Sequence, residues 1–406
     1  MEYISAFHAF AFSYTEINKS GYGSGGNDWL RANKNLTFAA FNNQATLNLV
    51  DAGNGWFKIT ASSLLDVSDV NSDTRQIVWW VREKDYFTRY VMFQQNGTLT
   101  WGNARVSGDA HCNGSMAFNS YDAMFYGLIS AVSGFSGSWR SSMFPGGYNR
   151  SMTSIAYPTA SSITNVAAKA DQTVSASCTV ELICNSSTTY NTRILIKNSS
   201  SPYAVISDTT LAAGAGKTIY VNGDITSLKG KLNSRVTLAC SGKVYITESL
   251  VYVDSQGDPA YQNIVGTNRY DYRTANYYTT ASYWAEQNYA MNPDYQGNAV
   301  LGVMAVKEID YGQGAAANTN IEMNTAVLVS GGSGYNGWFK ADMSQNKQHM
   351  RLVGSMVTQN MGGRYSGSSG YPSSGLYIYD QNLMNNPPDD WLDVNSPLFS
   401  CVYITK

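Results

Sequence analysis

Charge is scarce in this chain. Its 406 residues include 27 Lys and Arg and 29 Asp and Glu, 14% in all, where an ordinary soluble domain carries about a quarter. A compact chain of this size exposes on the order of 15,000 Å², so its charges stand about 270 Å² apart. The net charge of −2 provides no basic field to gather nucleic acid or an anionic membrane surface, and no nucleic-acid partner is expected. Histidine is rarer still at three residues, and proline is held to nine. Apolar runs of about 18 residues, the minimum for a membrane helix, are missing, so no membrane span is expected. Met1 is followed by neither a basic n-region nor a clean apolar h-region, and no signal peptide is read there.

What is plentiful is Gly (36), Tyr (29) and stretches of Ser, Thr and Asn. With 43% hydrophobic and 13% aromatic residues, the chain is too apolar to stay disordered. Length alone suggests two or three domains, although repetitive β folds exceed that scale as one unit. A surface that hydrogen-bonds but carries little charge suits neutral partners: a polysaccharide, a surface glycan or further copies of the chain.

Five cysteines, Cys112, Cys178, Cys184, Cys240 and Cys401, form no C-x-x-C pair, which removes the usual zinc and redox motifs. In the run from Ser177 to Cys184, positions 178, 180, 182 and 184 share one strand face. Six extended residues span about 20 Å, far beyond the roughly 7 Å Cα separation a disulfide tolerates. Buried free thiols in a β core are the expectation, and the redox compartment stays open.

Along the chain, Ile4, Phe7, Ala11, Tyr14 and Ile17 recur at helical steps, while Phe10, Phe12 and Tyr14 also alternate. The glycine cluster 21–26 ends this element. From about 36 to 101 the texture is β, with Thr46–Val50, Trp56–Thr60, Gln76–Arg82 and Tyr86–Gln94 separated by turn clusters such as Asp51-Ala-Gly-Asn-Gly55. A small antiparallel sheet is expected. Beyond Trp101, short apolar strands alternate with Gly, Asn or Asp, and Gly223 and Gly242 stand near one coil of a parallel β-helix apart. Segments 300–309, 322–329 and 351–357 read as further coils. Two inserts interrupt the pattern, one Ser/Gly-rich at about 133–165 and one at about 255–298. The second carries Tyr261, Tyr270, Tyr272, Tyr277, Tyr278, Tyr283, Trp284, Tyr289 and Tyr295.

Several segments in order carry a family likeness: Gly55-Trp-Phe-Lys-Ile-Thr-Ala-Ser62, Tyr86-Phe-Thr-Arg-Tyr-Val-Met-Phe93, Trp101 and Val106-Ser-Gly-Asp-Ala-His-Cys-Asn-Gly114. Asn233-Ser-Arg-Val-Thr-Leu238, Leu250–Asp254, Val300-Leu-Gly-Val303 and Tyr379-Asp-Gln-Asn-Leu-Met-Asn-Asn-Pro-Pro388 follow. The series resembles the DUF4900 and PilX-type pilus-associated proteins of bacteria. In these a pilin-like N-terminal helix precedes a β-helical ectodomain punctuated by Gly and Asn. The likeness covers most of 1–130 and 215–392. Residues 133–215 and the Tyr-rich insert have no clear counterpart, and only the C-terminal half of a prepilin helix stands at Ile4–Ile17. The resemblance implies an extracellular or cell-surface structural protein used in adhesion, with no catalytic residues to carry over. It also implies a structural turn at His111, Asn113 and Gly114, where His111 would cap a coil by hydrogen bonding.

Other motifs read as ordinary. Gly214-Ala-Gly-Lys-Thr218 imitates a phosphate-binding loop, but position 211 is Leu and Ile219-Tyr-Val221 reads as a strand where a helix would be needed. It is a turn. No histidine has a metal-ligand partner at i+2 or i+4, and no Gly-x-Ser-x-Gly accompanies His111; no metal and no cofactor are expected. Candidate acids for glycoside chemistry are Asp254, Asp258, Asp271, Glu286 and Asp294, with Arg269 and Arg273 nearby, and sequence places no two of them face to face. Asp389-Asp390, after Pro387-Pro388, reads as a solvated turn. The insert's aromatics, Tyr270, Tyr272, Tyr277, Tyr278, Tyr283, Trp284 and Tyr289, form the candidate binding surface. They could stack on sugars, make a protein interface, or pack down as a cover.

The sequence therefore predicts a mainly β protein. Residues 1–100 are expected to form an N-terminal helix and a small antiparallel sheet that caps one end. Residues 101–406 are expected to form a right-handed parallel β-helix with the two inserts. Function is expected to be structural and adhesive, pilus-associated or filament-forming and not enzymatic. The alternatives are glycan binding through the insert and a β-helical polysaccharide-degrading enzyme. Without a cap, exposed strand edges would stack copies end to end into a filament.

Overall fold

The structure, a computed structural model, describes residues 36–40, 45–53, 56–64, 74–84, 87–102, 104–200, 203–263, 289–292, 294–314, 320–332, 334–345, 350–363, 365–366, 369–370, 376–380, 382–392 and 398–405. The predicted N-terminal helix falls outside them. The chain is mainly β and divides into two units, Met1–Tyr86 with Asp393–Lys406, and Phe87–Leu392.

The first unit holds a five-stranded antiparallel sheet in the order Leu36–Ala40, Ala45–Gly53, Trp56–Leu64, Thr74–Lys84, Leu398–Thr405. Strands two to four follow the alternation and turn clusters of the sequence. Two boundaries differ from expectation. The last strand comes from the C-terminus and pairs Leu398 with Lys84, and Tyr90–Gln94 and Thr98–Trp101 belong to the larger unit. The reason is pairing: these two strands run parallel to Asp109–Cys112 and Ser115–Phe118. Local alternation does not distinguish parallel from antiparallel partners.

The second unit is dominated by a 21-stranded mixed sheet in which most neighbours are parallel. Arg105 pairs with Met124, Gly216 with Arg235 and Ile225 with Val244, each nineteen residues on. The turns are in step as well: a Cβ on Gly242 would come within 2.6 Å of the Gly223 carbonyl oxygen, so one turn lies directly against the next. Longer steps bridge excursions. Val174 pairs with Val221 across a hairpin, and Cys240 pairs with Ala305 across the 255–298 insert. The 133–165 segment, by contrast, prolongs the ladders through Phe135–Gly137 and Tyr148–Asn149.

Strand order does not follow chain order. Met92 pairs with Met356, and Leu376–Ile378 lies between Met350–Thr358 and Arg105–Ser107. The chain thus enters the middle of the ladder series and builds outward to Asn149. Residues 151–171 then run back across it to begin the far side at Gln172. On the way Ile155 bonds Asn113 in both directions (2.8 and 2.6 Å), the Tyr157 hydroxyl donates to the Val329 carbonyl, and Asp171 accepts the Thr218 N–H at 2.7 Å.

Registers align side chains into columns. Ile219, Leu238, Val303, Val327, Met356, Met92, Ala110 and Ile129 are successive partners across eight parallel strands, and all are buried. At about 1.5–3 kcal/mol for each large aliphatic side chain removed from water, such columns supply the main drive for association of the strands.

The two ends of the series differ: one is filled by aromatic side chains, and the other finishes in an exposed edge strand, Val205–Leu211, where Val205 and Ile206 face solvent. Beyond the last parallel strands, Met143 and Phe144 are buried, with Phe144 5.4 and 5.5 Å from Phe118 and Phe125 and Tyr148 5.3 Å from Phe144. The edge strand there, Tyr148–Asn149, is only two residues long. At the other end Cys178–Ile183 pairs antiparallel with Thr192–Asn198, and that strand with Val205–Leu211. Ile194 and Ile196 point into the core. Ser207 and Thr209 bond back to Gln172 and Lys217.

Candidate functional site

Most of the predicted binding surface falls outside the described residues: Tyr270, Tyr272, Tyr277, Tyr278, Tyr283 and Trp284. Tyr289 contributes a strand, Tyr289–Met291, antiparallel to Tyr261–Asn263. The roots of the insert are fixed. Tyr261 and Tyr295 are buried, and the Tyr261 hydroxyl donates to Asp380 Oδ1 at 3.4 Å. Asp380, from the segment after Leu376–Ile378, also accepts the Asn382 N–H at 3.0 Å, and burial pushes its carboxyl up to about 6. Asp254 is committed to the insert's first turn. Its oxygens accept the N–H groups of Gln256 (2.8 Å), Asp258 (3.0 Å) and Gln296 (3.1 Å). Burial works against its charge, and these backbone donors outweigh it, leaving a lowered pKa. An acid engaged in this way serves architecture.

His111 is fully buried. Its Nε2 lies 2.9 Å from Asn113 Oδ1 and its Nδ1 2.9 Å from Ser130 Oγ, which fits the tautomer that donates to Asn113 and accepts from Ser130. Burial pushes the imidazole down to about 4, so it is neutral. Asn113 carries this chain onward to Ile155 and the return segment. Gly114 lies over Gly97, whose carbonyl accepts the Ser115 N–H at 3.1 Å.

The Asp389-Asp390 pair, expected as a solvated turn, instead clasps the sheet. Arg235 donates to Asp389 Oδ1 (2.8 Å) and to the Pro387 carbonyl (2.6 Å). Thr237 donates to the Asp389 carbonyl (2.6 Å) and Thr218 to Asp390 Oδ2 (2.8 Å). Gly302 makes room, since a Cβ there would stand 2.6 Å from Pro388. The partners lie more than 150 residues away in sequence, where no local pattern could indicate them.

Two outward features were not singled out from sequence. On strand Glu308–Tyr311 the alternation sends Glu308 and Asp310 to one face, 11% and 14% exposed. Lys243 and Lys340 reach Glu308 Oε2 at 2.8 and 3.1 Å, and Lys340 stands 3.7 Å from Asp310. Tyr245 and Lys340 flank Asp310 in register, and Trp338 stands beside Glu308. Burial opposes the charge on both acids. The two ammonium groups overcome it at Glu308, whose pKa is lowered, but not at Asp310, whose pKa is raised. The signal lay in Glu308-Ile-Asp310-Tyr311, two acids at strand spacing that alternate with apolar residues.

The second feature is a cleft of about 570 Å³ lined by Gly230, Lys231, Thr247, Glu248, Ser249, Val251, Gln313, Gly314, Asn320 and Ile321. It opens three residues beyond Asp310, where the strand turns. Its walls are one lysine, one glutamate, hydroxyls, amides and backbone over two aliphatic side chains, the composition of a site for a polar ligand.

Among the described residues no group of three or more His, Cys, Asp or Glu could hold a metal ion, and no helix is long and apolar enough to cross a membrane. No protein-family profile, curated protein or solved structure matches the chain.

Proposed function

We propose that this chain is the body of an extracellular or cell-surface protein, pilus-associated and used for attachment, whose parallel ladders are the coils of a β-helix. The observation that carries this reading is the eight-strand apolar column, in register at mostly coil-length steps. A right-handed sense follows from the rule for parallel crossovers. Full burial of His111 supports a structural role for the segment in which the family likeness is best marked. A surface with few charges and many hydroxyls favours contact with glycans, and the two-residue edge strand Tyr148–Asn149 at one end and the charged Arg193–Asp208 pair at the other favour a discrete body over self-stacking.

The test is retention of the full-length protein on insoluble and immobilised polysaccharides. Binding without release of sugar ends or unsaturated products is expected. Turnover, or failure to bind any glycan, would contradict the attachment reading. A second reading, polysaccharide cleavage, draws on the Glu308–Asp310 pair alone. Alternate strand residues lie about 7 Å apart, within the range of glycosidase carboxylates, and their environments push their pKa values apart. On that reading turnover appears in the same screen and is abolished by Glu308→Gln and Asp310→Asn.

A further inference from the structure

The cleft beside the turn at Gln313 and Gly314 has an unusual charge balance. Two charged side chains line it. Glu248 already has a cation beside it, because Lys229 Nζ lies 3.0 Å from its carboxylate, an ammonium it shares with Glu181 at 3.8 Å. Lys231 has no carboxylate within ion-pair distance among the described residues. It is exposed and sits opposite Val251 on the neighbouring strand, and both residues line the cleft. The remaining polar lining is neutral. Ser249 Oγ accepts the Glu322 N–H at 3.0 Å and retains its own O–H, Thr247 shares a hydroxyl contact with Ser227 at 2.7 Å, and Gln313 and Asn320 add amides that both donate and accept.

One unmatched cation in a ring of hydroxyls and amides calls for a ligand with one carboxylate and many hydroxyls. A bare phosphate would be better met by several donors or an arginine fork than by one lysine. A peptide would need aromatic or larger apolar anchors, whereas the apolar lining here is Val251 and Ile321. The volume lies within the range of small-molecule sites. We propose that the cleft binds an acidic saccharide, a uronic or sialic residue of a glycan chain. Lys231 pairs with the carboxylate, and Thr247, Ser249, Gln313 and Asn320 take ring hydroxyls. This assignment deepens the attachment reading and rests on it.

The experiment is calorimetric titration of the full-length protein with trigalacturonate and sialyllactose, each against its neutral counterpart, the methyl ester of trigalacturonate or lactose. Alongside the unaltered protein run Lys231→Met, Lys231→Arg, Gln313→Ala and a remote exposed control, Thr210→Ala, all checked for unchanged melting temperature. At least one acidic probe should bind tenfold or more tighter than its neutral counterpart. Lys231→Met should erase that preference, Lys231→Arg should keep most of it, and Gln313→Ala should weaken both members of the pair. Equal affinity for acidic and neutral probes, or an unchanged preference in Lys231→Met, overturns the cleft assignment. If glycans still bind in that case, attachment survives without this site. If the unaltered protein binds no glycan in any format, the attachment reading fails with it.

Discussion

His111 and Asp380 are both buried, and their titrations pull stability in opposite directions. Burial holds His111 at about 4 against an ordinary 6.5. Its contribution is complete above pH 6.5 and is lost as pH falls toward 4, because the unfolded chain takes up the proton first. Burial holds Asp380 at about 6 against 3.8. Its contribution is complete below 3.8 and is lost as pH rises to about 6. Each is worth on the order of 3 kcal/mol. Compared with the unaltered protein, Asp380→Asn should therefore gain stability as pH rises from 4 to 6, and His111→Gln should gain it as pH falls from 6.5 to 4. Urea midpoints measured across that range check both, and curves parallel to the unaltered protein would contradict the assignment. The buried thiols give a simpler test. Burial pushes Cys178 and Cys240 up to about 12 and Cys184 up to about 11, so thiol reagents should leave these residues unmodified until the protein unfolds.

At the scale of the element, the sequence is informative about which segments are strands and silent about their partners. Alternation marks Cys178–Ile183, whose residues 178, 180 and 182 are buried, and turn residues mark the ends of many strands. Nothing in Tyr90–Gln94 indicates that it lies between Met350–Thr358 and Asp109–Cys112. Likewise, Pro387-Pro388-Asp389-Asp390 has the composition of a surface turn until Arg235 is seen beside it. The Glu308–Asp310 face was legible in principle from strand alternation, whereas the cleft, assembled from two neighbouring strands, the turn at Gln313 and the start of Ile321–Val329, was not. Two substitutions test these elements. Leu238→Ala opens a void in the middle of the apolar column and should cost about 2–5 kcal/mol. Arg235→Ala leaves Asp389 and the Pro387 carbonyl without their donor and should cost about 1–3 kcal/mol, with limited proteolysis newly cutting within residues 381–392. Unchanged cleavage would mean that the clasp does not hold that segment.

For the whole molecule, the sparse charge noted at the outset acquires a structural meaning. Inward positions are aliphatic and aromatic, turns are Gly, Asn and Asp, and many outward strand positions are hydroxyl-bearing, so few charged residues are needed to keep the surface wet. Such a surface is also prone to self-association through strand edges. The antiparallel hairpin from Thr192 to Leu211 extends one end of the ladder series and leaves Val205–Leu211 as its exposed edge, with an Arg193–Asp208 ion pair on it, while the Phe144–Tyr148 aromatic group closes the other. The central proposal is that the ladders form a β-helical body that serves attachment as a discrete particle. Sedimentation velocity of the full-length protein over a wide concentration range tests it most directly. A single monomer boundary that does not shift with concentration is predicted, and growth of a fast-sedimenting fibre population with concentration would contradict it.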